Sequence, residues 1–406
     1  MDRRCGNQIF KSILKCSCSD SDSMSHDDAK KNMNQNSDST QSCNVISKLL
    51  LPKDLMFDIF SFIPLNCLLK YARYVCKSWA AIISSSEFAE VYELHRARFK
   101  PGLYVENCIE QSSSYFMDIN GVNGQFEMID FGTPSKMGNV ISTCDGILLL
   151  TNICRQIIIA NPILKCWLRI PPIPNSQKPV VISLQCTIAR VPRTGKFKLF
   201  FIDILEVSGA DWYVFYVLRI GIDNSWKEIA RKEAPDEWCF LWKPLYSGDN
   251  DLYWITFDEV IVMDVDKEII IRECPLPFTS MFSGPLSMLL WMGNRLSCIK
   301  NKGFSTTYQI FILDFDTGNW SLYHEMGPFD YAAACGRELK IMTVEFRLWI
   351  DDQIIFQVAL CETGKRINFS YNIKTRQLTK IEGIAEGYFE VWLHTNSLVS
   401  LPSTPT

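Results

Sequence analysis

The sequence predicts an α + β multidomain protein: a small three-helix module followed by an all-β propeller of about six four-stranded blades. Three observations carry this. Within residues 48–100, apolar side chains recur at steps of three and four, the period of an amphipathic helix. From Pro101 onward the texture changes to short alternating or apolar runs divided by turn residues, the pattern of strands. Along that region a strand–turn–strand unit recurs about every 50 residues, the spacing of propeller blades.

The helices come first. Leu55, Ile59, Phe62 and Ile63 share one helical face, and Leu65, Leu68, Leu69, Ala72, Val75, Cys76, Trp79, Ile82 and Ile83 continue the step after Pro64. Pro52 and Pro64 stand where first-turn prolines belong, since the amide they lack needs no intrahelical partner. The spacing predicts helices over 53–62, 65–74 and 76–84, with a fourth from Glu87 to Ala97. Residues 1–47 are polar and serine-rich, and are expected to form a disordered tail because they offer too little burial to offset ordering entropy. The domain reading is therefore a tail over 1–47, the helical module over 48–88, a linker helix over 89–100, the β domain over 101–401 and a short tail over 402–406.

The repeat pairs two positions six residues apart: Asn161 with Trp167, Ile220 with Trp226, Asp264 with Ile270, Asp314 with Trp320, and Asn372 with Leu378. A weaker copy joins Asn120 to Phe126. A turn glycine entering a strand marks a second hairpin upstream, in CDGILLL, GDNDLYWI, MGNRLSCI and CGRELKIM. Two hairpins per unit give four strands. Trp167, Trp226 and Trp320 are expected to fill the wedges between blades.

Composition excludes several roles. The net charge of -4 divides into +3 over residues 48–100 and -7 over 101–406, which does not suit a general phosphate-backbone binder, so no nucleic acid is expected. No apolar run approaches the roughly 20 residues of a membrane helix, so no membrane partner is expected. With no export signal recognised, the 16 cysteines are read as reduced thiols of the cytoplasm or nucleus. No Cys-x-x-Cys pair is present and there are 4 histidines, so no metal or other cofactor is expected.

The stretch LPKDLMFDIFSFIPLNCLLKYARYVCKSWAAII, Leu51–Ile83, resembles the F-box. The match takes in Leu51-Pro52, Ile59, the Pro64-Leu65 break, Leu68 and the ending Val75-Cys76-Lys77-x-Trp79. The remainder is similar to the kelch-like or F-box-associated domain of plant F-box proteins, through CDGILLL, NPILKCWLRIPP, DLYWI and HTNSLVSL, although no Gly-Gly of the kelch signature occurs. The resemblance implies a non-catalytic substrate receptor of a Skp–cullin–F-box ubiquitin ligase. The F-box would dock the Skp-type adaptor, and through it the cullin and RING subunits, while the propeller would hold a target protein for ubiquitination. It places adaptor contact on Leu51, Pro52, Ile59, Leu65, Leu68, Val75, Cys76 and Trp79. The alternative for each, Ile59 and Trp79 especially, is a place in the three-helix core. A non-degradative scaffold or an adaptor-sequestering regulator is the second functional reading.

Catalytic signatures do not assemble. DFDTGNW at 314–320 lacks the leading serine and the tryptophan spacing of a sialidase Asp-box. Thr194-Gly195-Lys196 and Thr363-Gly364-Lys365 have Arg190 and Ala359 where a phosphate loop needs glycine. His394 reads as a strand-end residue that helps close the ring. For target binding the sequence offers loops at Ser112–Gly124, Ser208–Trp212, Ala234–Trp238 and Phe278–Gly284, with Trp212 and Trp238 as aromatic candidates.

Overall fold

The computed structural model describes residues 52–63, 65–95, 102–107, 114–119, 126–129, 137–152, 154–174, 185–234, 241–256, 258–277, 288–292, 295–303, 306–381, 384, 387, 389–395, 397–399 and 401. The expected tails at 1–47 and 402–406 lie outside them. The chain divides into two compact units, Met1–Arg98 and Phe99–Thr406.

The first unit holds helices α1 (Lys53–Ser61), α2 (Leu65–Lys70), α3 (Lys77–Ile83) and α4 (Ser86–His95), with a 3-10 turn at Ala72–Tyr74 between α2 and α3. Pro52 precedes α1 with φ -51°, already set for the helix that follows. The carbonyl of Pro52 then accepts the Met56 amide at 3.0 Å. Cys76 is extended, and its Sγ accepts the Trp79 amide at 3.5 Å, so the thiol caps α3. The Ser85 hydroxyl accepts the Phe88 amide at 3.1 Å and begins α4 in the same manner. Phe60, Leu68, Ala72 and Phe88 are fully buried. Phe60 is the hub: Trp79 meets it edge-on at 4.8 Å and Phe88 at 6.1 Å. Phe88, Ala89 and Tyr92 are all buried, so α4 runs through the boundary expected at residue 88 and belongs to this core. Residues 89–95 of the expected linker helix are helical, and 96–100 lie outside the described residues.

The second unit contains six four-stranded antiparallel sheets among the described residues. In chain order within each, blade 2 is Asn139–Cys144, Ile147–Thr151, Ile157–Asn161 and Cys166–Arg169. Blade 3 is Cys186–Arg190, Phe197–Val207, Ala210–Arg219 and Lys227–Glu233. Blade 4 is Leu245–Tyr246, Asp251–Ile255, Glu259–Asp264 and Ile269–Pro275. Blade 5 is Met288–Met292, Arg295–Asn301, Tyr308–Asp314 and Asn319–Met326. Blade 6 is Ile341–Ile350, Gln353–Leu360, Arg366–Asn372 and Gln377–Lys380. Blade 1 is composite: Phe389–His394 supplies its first strand and Gly102–Asn107, Ser114–Ile119 and Phe126–Ile129 the rest.

Each first strand lies beside the first strands of the two neighbouring blades, and the circuit closes from blade 6 through blade 1 to blade 2. Six apolar clusters match the six interfaces. Tyr104 packs on Leu148 and Ile158, Leu149 and Ile159 on Leu199 and Phe201, and Phe215 on Trp254. Val262 then packs on Leu313, Ile310 on Phe356, and Ile355 on Val105. The second and third strands are covered on both faces, which is why ILLLT and IIIAN read as continuous apolar runs without alternation.

The six-residue repeat is a hairpin joining the third and fourth strands, and its chemistry is visible. Asn161 Oδ1 accepts the amides of Ile163 and Leu164, Asp264 Oδ1 that of Lys267, Asp314 Oδ1 that of Asp316, and Asn372 Oδ1 that of Thr375. Four residues beyond each anchor stands a left-handed residue: Lys165, Glu268, Gly318 and Arg376. A short side chain that folds back on its own turn, and a position that tolerates positive φ, are what fix this unit. At Ile220 the role passes to Asp223, which accepts the Arg219 amide at 3.0 Å.

Two expectations are corrected here. Of the tryptophans six residues past the anchors, Trp226 and Trp320 pack against the inter-blade clusters, as expected, but Trp167 does not. Trp167 is 50% exposed. Trp226 and Trp320 are half-buried and donate their indole N–H to the carbonyls of Pro171 (3.1 Å) and Pro275 (2.9 Å). Each clasps the outer strand of its blade to the end of the preceding blade. The second correction concerns CGRELKIM, which runs from helix α5 (Tyr331–Cys335) into the first strand of blade 6 and is not a hairpin between strands.

Ring closure rests on the C-terminal segment. His394 is buried and pairs with Gly102 at the strand end, as the sequence suggested. Beyond it the chain straps onto blade 2: Asn161 Nδ2 donates to the carbonyls of Ser397 (3.0 Å) and Val399 (2.8 Å), and Val399 and Leu401 pack on the blade 2–3 cluster.

Candidate docking surface and channel site

Helix α1 is apolar on two faces. Met56, Phe57 and Phe60 point into the core. Leu55 (44% exposed), Ile59 (40%) and Phe62 (64%) stand at i, i+4 and i+7 on the outside. Tyr71 and Tyr74 are also largely exposed on the same unit. An outward stripe of this kind leaves apolar area in water, at a cost of about 25 cal/mol per Å², until a partner covers it.

The residues to which the resemblance assigned adaptor contact separate accordingly. Leu51 lies outside the described residues. Pro52, Ile59 and Cys76 are exposed, and Val75 and Trp79 are half-buried. Cys76 serves as a helix cap, and Trp79 turns its ring onto Phe60. Leu65 and Leu68 are buried and belong to the core of this unit. Leu55, Phe62, Tyr71 and Tyr74 complete the outer surface. The spacing of Leu55, Ile59 and Phe62 was visible in sequence, but periodicity alone could not tell an outer apolar face from an inner one.

Of the loop candidates in the β unit, Ser112–Gly124 contains the strand Ser114–Ile119 and is no loop. Trp212 is half-buried in the third strand of blade 3, opposite Leu205 on one side and Glu233 on the other. Trp238 and the Phe278–Gly284 loop lie outside the described residues.

The sequence reading missed the channel. At the end where the first-to-second strand turns gather, a cavity of about 430 Å³ opens between the blades. Lys243, just before the first strand of blade 4, reaches across to blade 1, which stands opposite in the ring, and its Nζ sits 3.1 Å above the centre of the Trp392 ring. Behind it lies an ion cluster. Arg347 Nη1 meets Glu390 Oε2 at 2.9 Å, Arg347 also pairs with Glu345, and Arg366 Nη1 meets Glu390 Oε1 at 2.9 Å. Burial pushes the Lys243 ammonium down to about 7, with Glu390 opposing and Arg347 reinforcing the shift. Glu106 is also buried. Its Oε2 accepts the Val140 amide at 2.9 Å, yet burial raises its carboxyl to about 7, with Glu390 adding to the rise. Among the described residues no group of three or more His, Cys, Asp and Glu side chains could hold a metal ion, and no helix is long and apolar enough to cross a membrane.

The chain thus joins a small helical module with an outward apolar stripe to a propeller. Residues 49–89 match the F-box-like family, so this chain couples an F-box-like domain to a β-propeller. It is 27% identical to "Putative F-box protein At3g16210" of Arabidopsis thaliana over 51% of this chain and 54% of that protein. It is 31% identical to the Arabidopsis "F-box/kelch-repeat protein At3g61590", over 29% of this chain and 28% of the relative. With "Putative F-box protein At3g17560" of the same plant it shares 30% identity over 29% of this chain and 30% of the relative. The matched stretch therefore spans about half the length of the first relative and under a third of the other two. Among solved structures, TolB from Acinetobacter baumannii aligns with a TM-score of 0.42 at 10% identity, over 76% of this chain and 73% of that one.

Proposed function

We propose that this protein is the substrate-recognition subunit of a Skp–cullin–F-box ubiquitin ligase: the F-box-like domain docks a Skp-type adaptor, and the propeller holds a target protein. The observation that carries it is the exposed stripe Leu55, Ile59 and Phe62 on a domain that matches the F-box-like family. Apolar contact is suited to a durable subunit interface, whose centre is depleted of charge. The chain then lends binding surface, and the chemistry falls to the adaptor-linked subunits. A place in the cytoplasm or nucleus accords with this role, and no disulfide joins the described cysteines.

The test is co-purification of the full chain with the adaptor, comparing wild type with the double variant Leu55→Ala/Phe62→Ala. Neither side chain is buried, so the melting temperature should hold. Adaptor affinity should fall by about 2–4 kcal/mol if these are interface anchors. Undiminished adaptor binding by the folded double variant would refute the reading. Loss of adaptor binding with no change in the half-life of propeller-bound proteins would favour a scaffold.

A further inference from the structure

The groups that line the channel cavity are matched on the acceptor side and unmatched on the donor side. The Asp145 carboxylate is held by Arg190 at 3.3 Å. The hydroxyls of Ser142 and Thr187 bond each other at 2.9 Å, and Thr143 donates to the Leu393 carbonyl at 2.6 Å. Asp351 stands in solvent at the rim. The donors fare otherwise. Trp392 Nε1 and Arg347 Nε are buried and have no hydrogen-bond partner among the described residues. The Lys243 ammonium rests on the Trp392 ring with no carboxylate in ion-pair reach among the described residues. A ligand that brings acceptor oxygens onto the Lys243 ammonium supplies a partner that the described residues do not. A negative charge on those oxygens adds attraction to Lys243 inside a pocket walled by Trp349 and Trp392.

We infer that this cavity is the point where the propeller grips its target, and that it takes a carboxylate of a peptide segment onto the Lys243 ammonium. The inference rests on the receptor reading above and names the chemistry of the segment received. The carboxylate comes from an aspartate or glutamate side chain or from a chain end; both present the same two oxygens.

The low proton affinity of Lys243 supplies a signature. The groups facing it are Glu390 from blade 1, Arg347 and Asp351 from blade 6, Cys144 and Asp145 from blade 2, and Tyr246 from its own blade. In the free protein the ammonium is lost as pH rises through about 7. A bound carboxylate holds the proton on, so binding above that pH takes up a proton and weakens with each further step upward.

The experiment is a selection of random 12-residue peptides on the full-length chain. Peptides are displayed in two formats, one with a free C-terminus and one fused at both ends, so that the two sources of carboxylate are told apart. Wild type and Lys243→Arg should enrich an acidic residue at one fixed position, or a free chain end. Lys243→Met should lose that preference and bind the wild-type winner at least about tenfold more weakly. Wild type should lose about tenfold in affinity for the same peptide between pH 6.5 and 8.5. This last measurement stands even if Lys243→Met fails to fold. Peptides with no acidic position, or an affinity flat across that pH range, would overturn the inference. Adaptor co-purification is read separately on the same chain. Its failure sinks the receptor reading, while a failed selection beside intact adaptor binding sinks only this one.

Discussion

Replacing Glu106 by glutamine should stabilise the propeller at alkaline pH and leave it unchanged near pH 4.5. Glu106 lies on the second strand of blade 1, directly opposite Glu390 in register, and is 6% exposed. Its Oε2 accepts the Val140 amide and so ties blade 1 to blade 2, a bond that the amide oxygen of glutamine can also accept. The carboxyl is raised from 4.5 to about 7, first by burial, against the Val140 hydrogen bond, and further by Glu390. A carboxyl raised on folding holds its proton in the native state while the unfolded chain has released it. Between pH 4.5 and about 7 the native state therefore binds more protons, and stability falls as pH rises across that window. At about 1.4 kcal/mol for each pH unit, the full penalty above pH 7 is about 3 kcal/mol. Glutamine removes it, so the melting temperature of Glu106→Gln should exceed that of wild type by on the order of 5 °C at pH 8 and match it at pH 4.5. Differential scanning calorimetry of both chains at the two values reads this directly. An equal or lower melting temperature at pH 8, or the same difference at both values, would refute the reasoning.

The C-terminal strap gives two further predictions. Asn161→Ala strips two carbonyls and two amides of their buried partner and should cost about 2–4 kcal/mol, measured by urea denaturation. Gly146 has φ +80°, and a Cβ there would lie 2.3 Å from Ser397 Cβ and 2.6 Å from the Thr395 carbonyl oxygen. Gly146→Ala should therefore release the strap and speed hydrogen exchange at the described amides of 397–399, with the helical unit unaffected. In that unit, Phe60→Ala empties the space between Trp79 and Phe88 and should destabilise it by about 3–5 kcal/mol, read as loss of helical circular dichroism on heating.

Much of the architecture was legible because it is local. The helices between residues 53 and 83 follow from three-and-four spacing and from prolines at their starts. Most of the blade hairpins follow from Asn or Asp at the anchor, since such a side chain folds its own turn whatever surrounds it. The tryptophans were legible as recurrent but only partly as to role. That Trp320 both packs at the blade interface and reaches the Pro275 carbonyl depends on the neighbouring blade, 45 residues away in the chain.

The sequence by itself determined a helical docking module, a family resemblance for it, and a repeating β domain with its turns, because each of these depends on residues within a few positions of one another. Only the tertiary structure decided which face of α1 is left to a partner, that α4 completes the module, and that the last strand closes the ring beside the first. It alone brought Lys243 over Trp392 and set Glu106 opposite Glu390. Those pairs are far apart in the chain, and their altered proton affinities arise from burial and neighbouring charge, which no local pattern encodes.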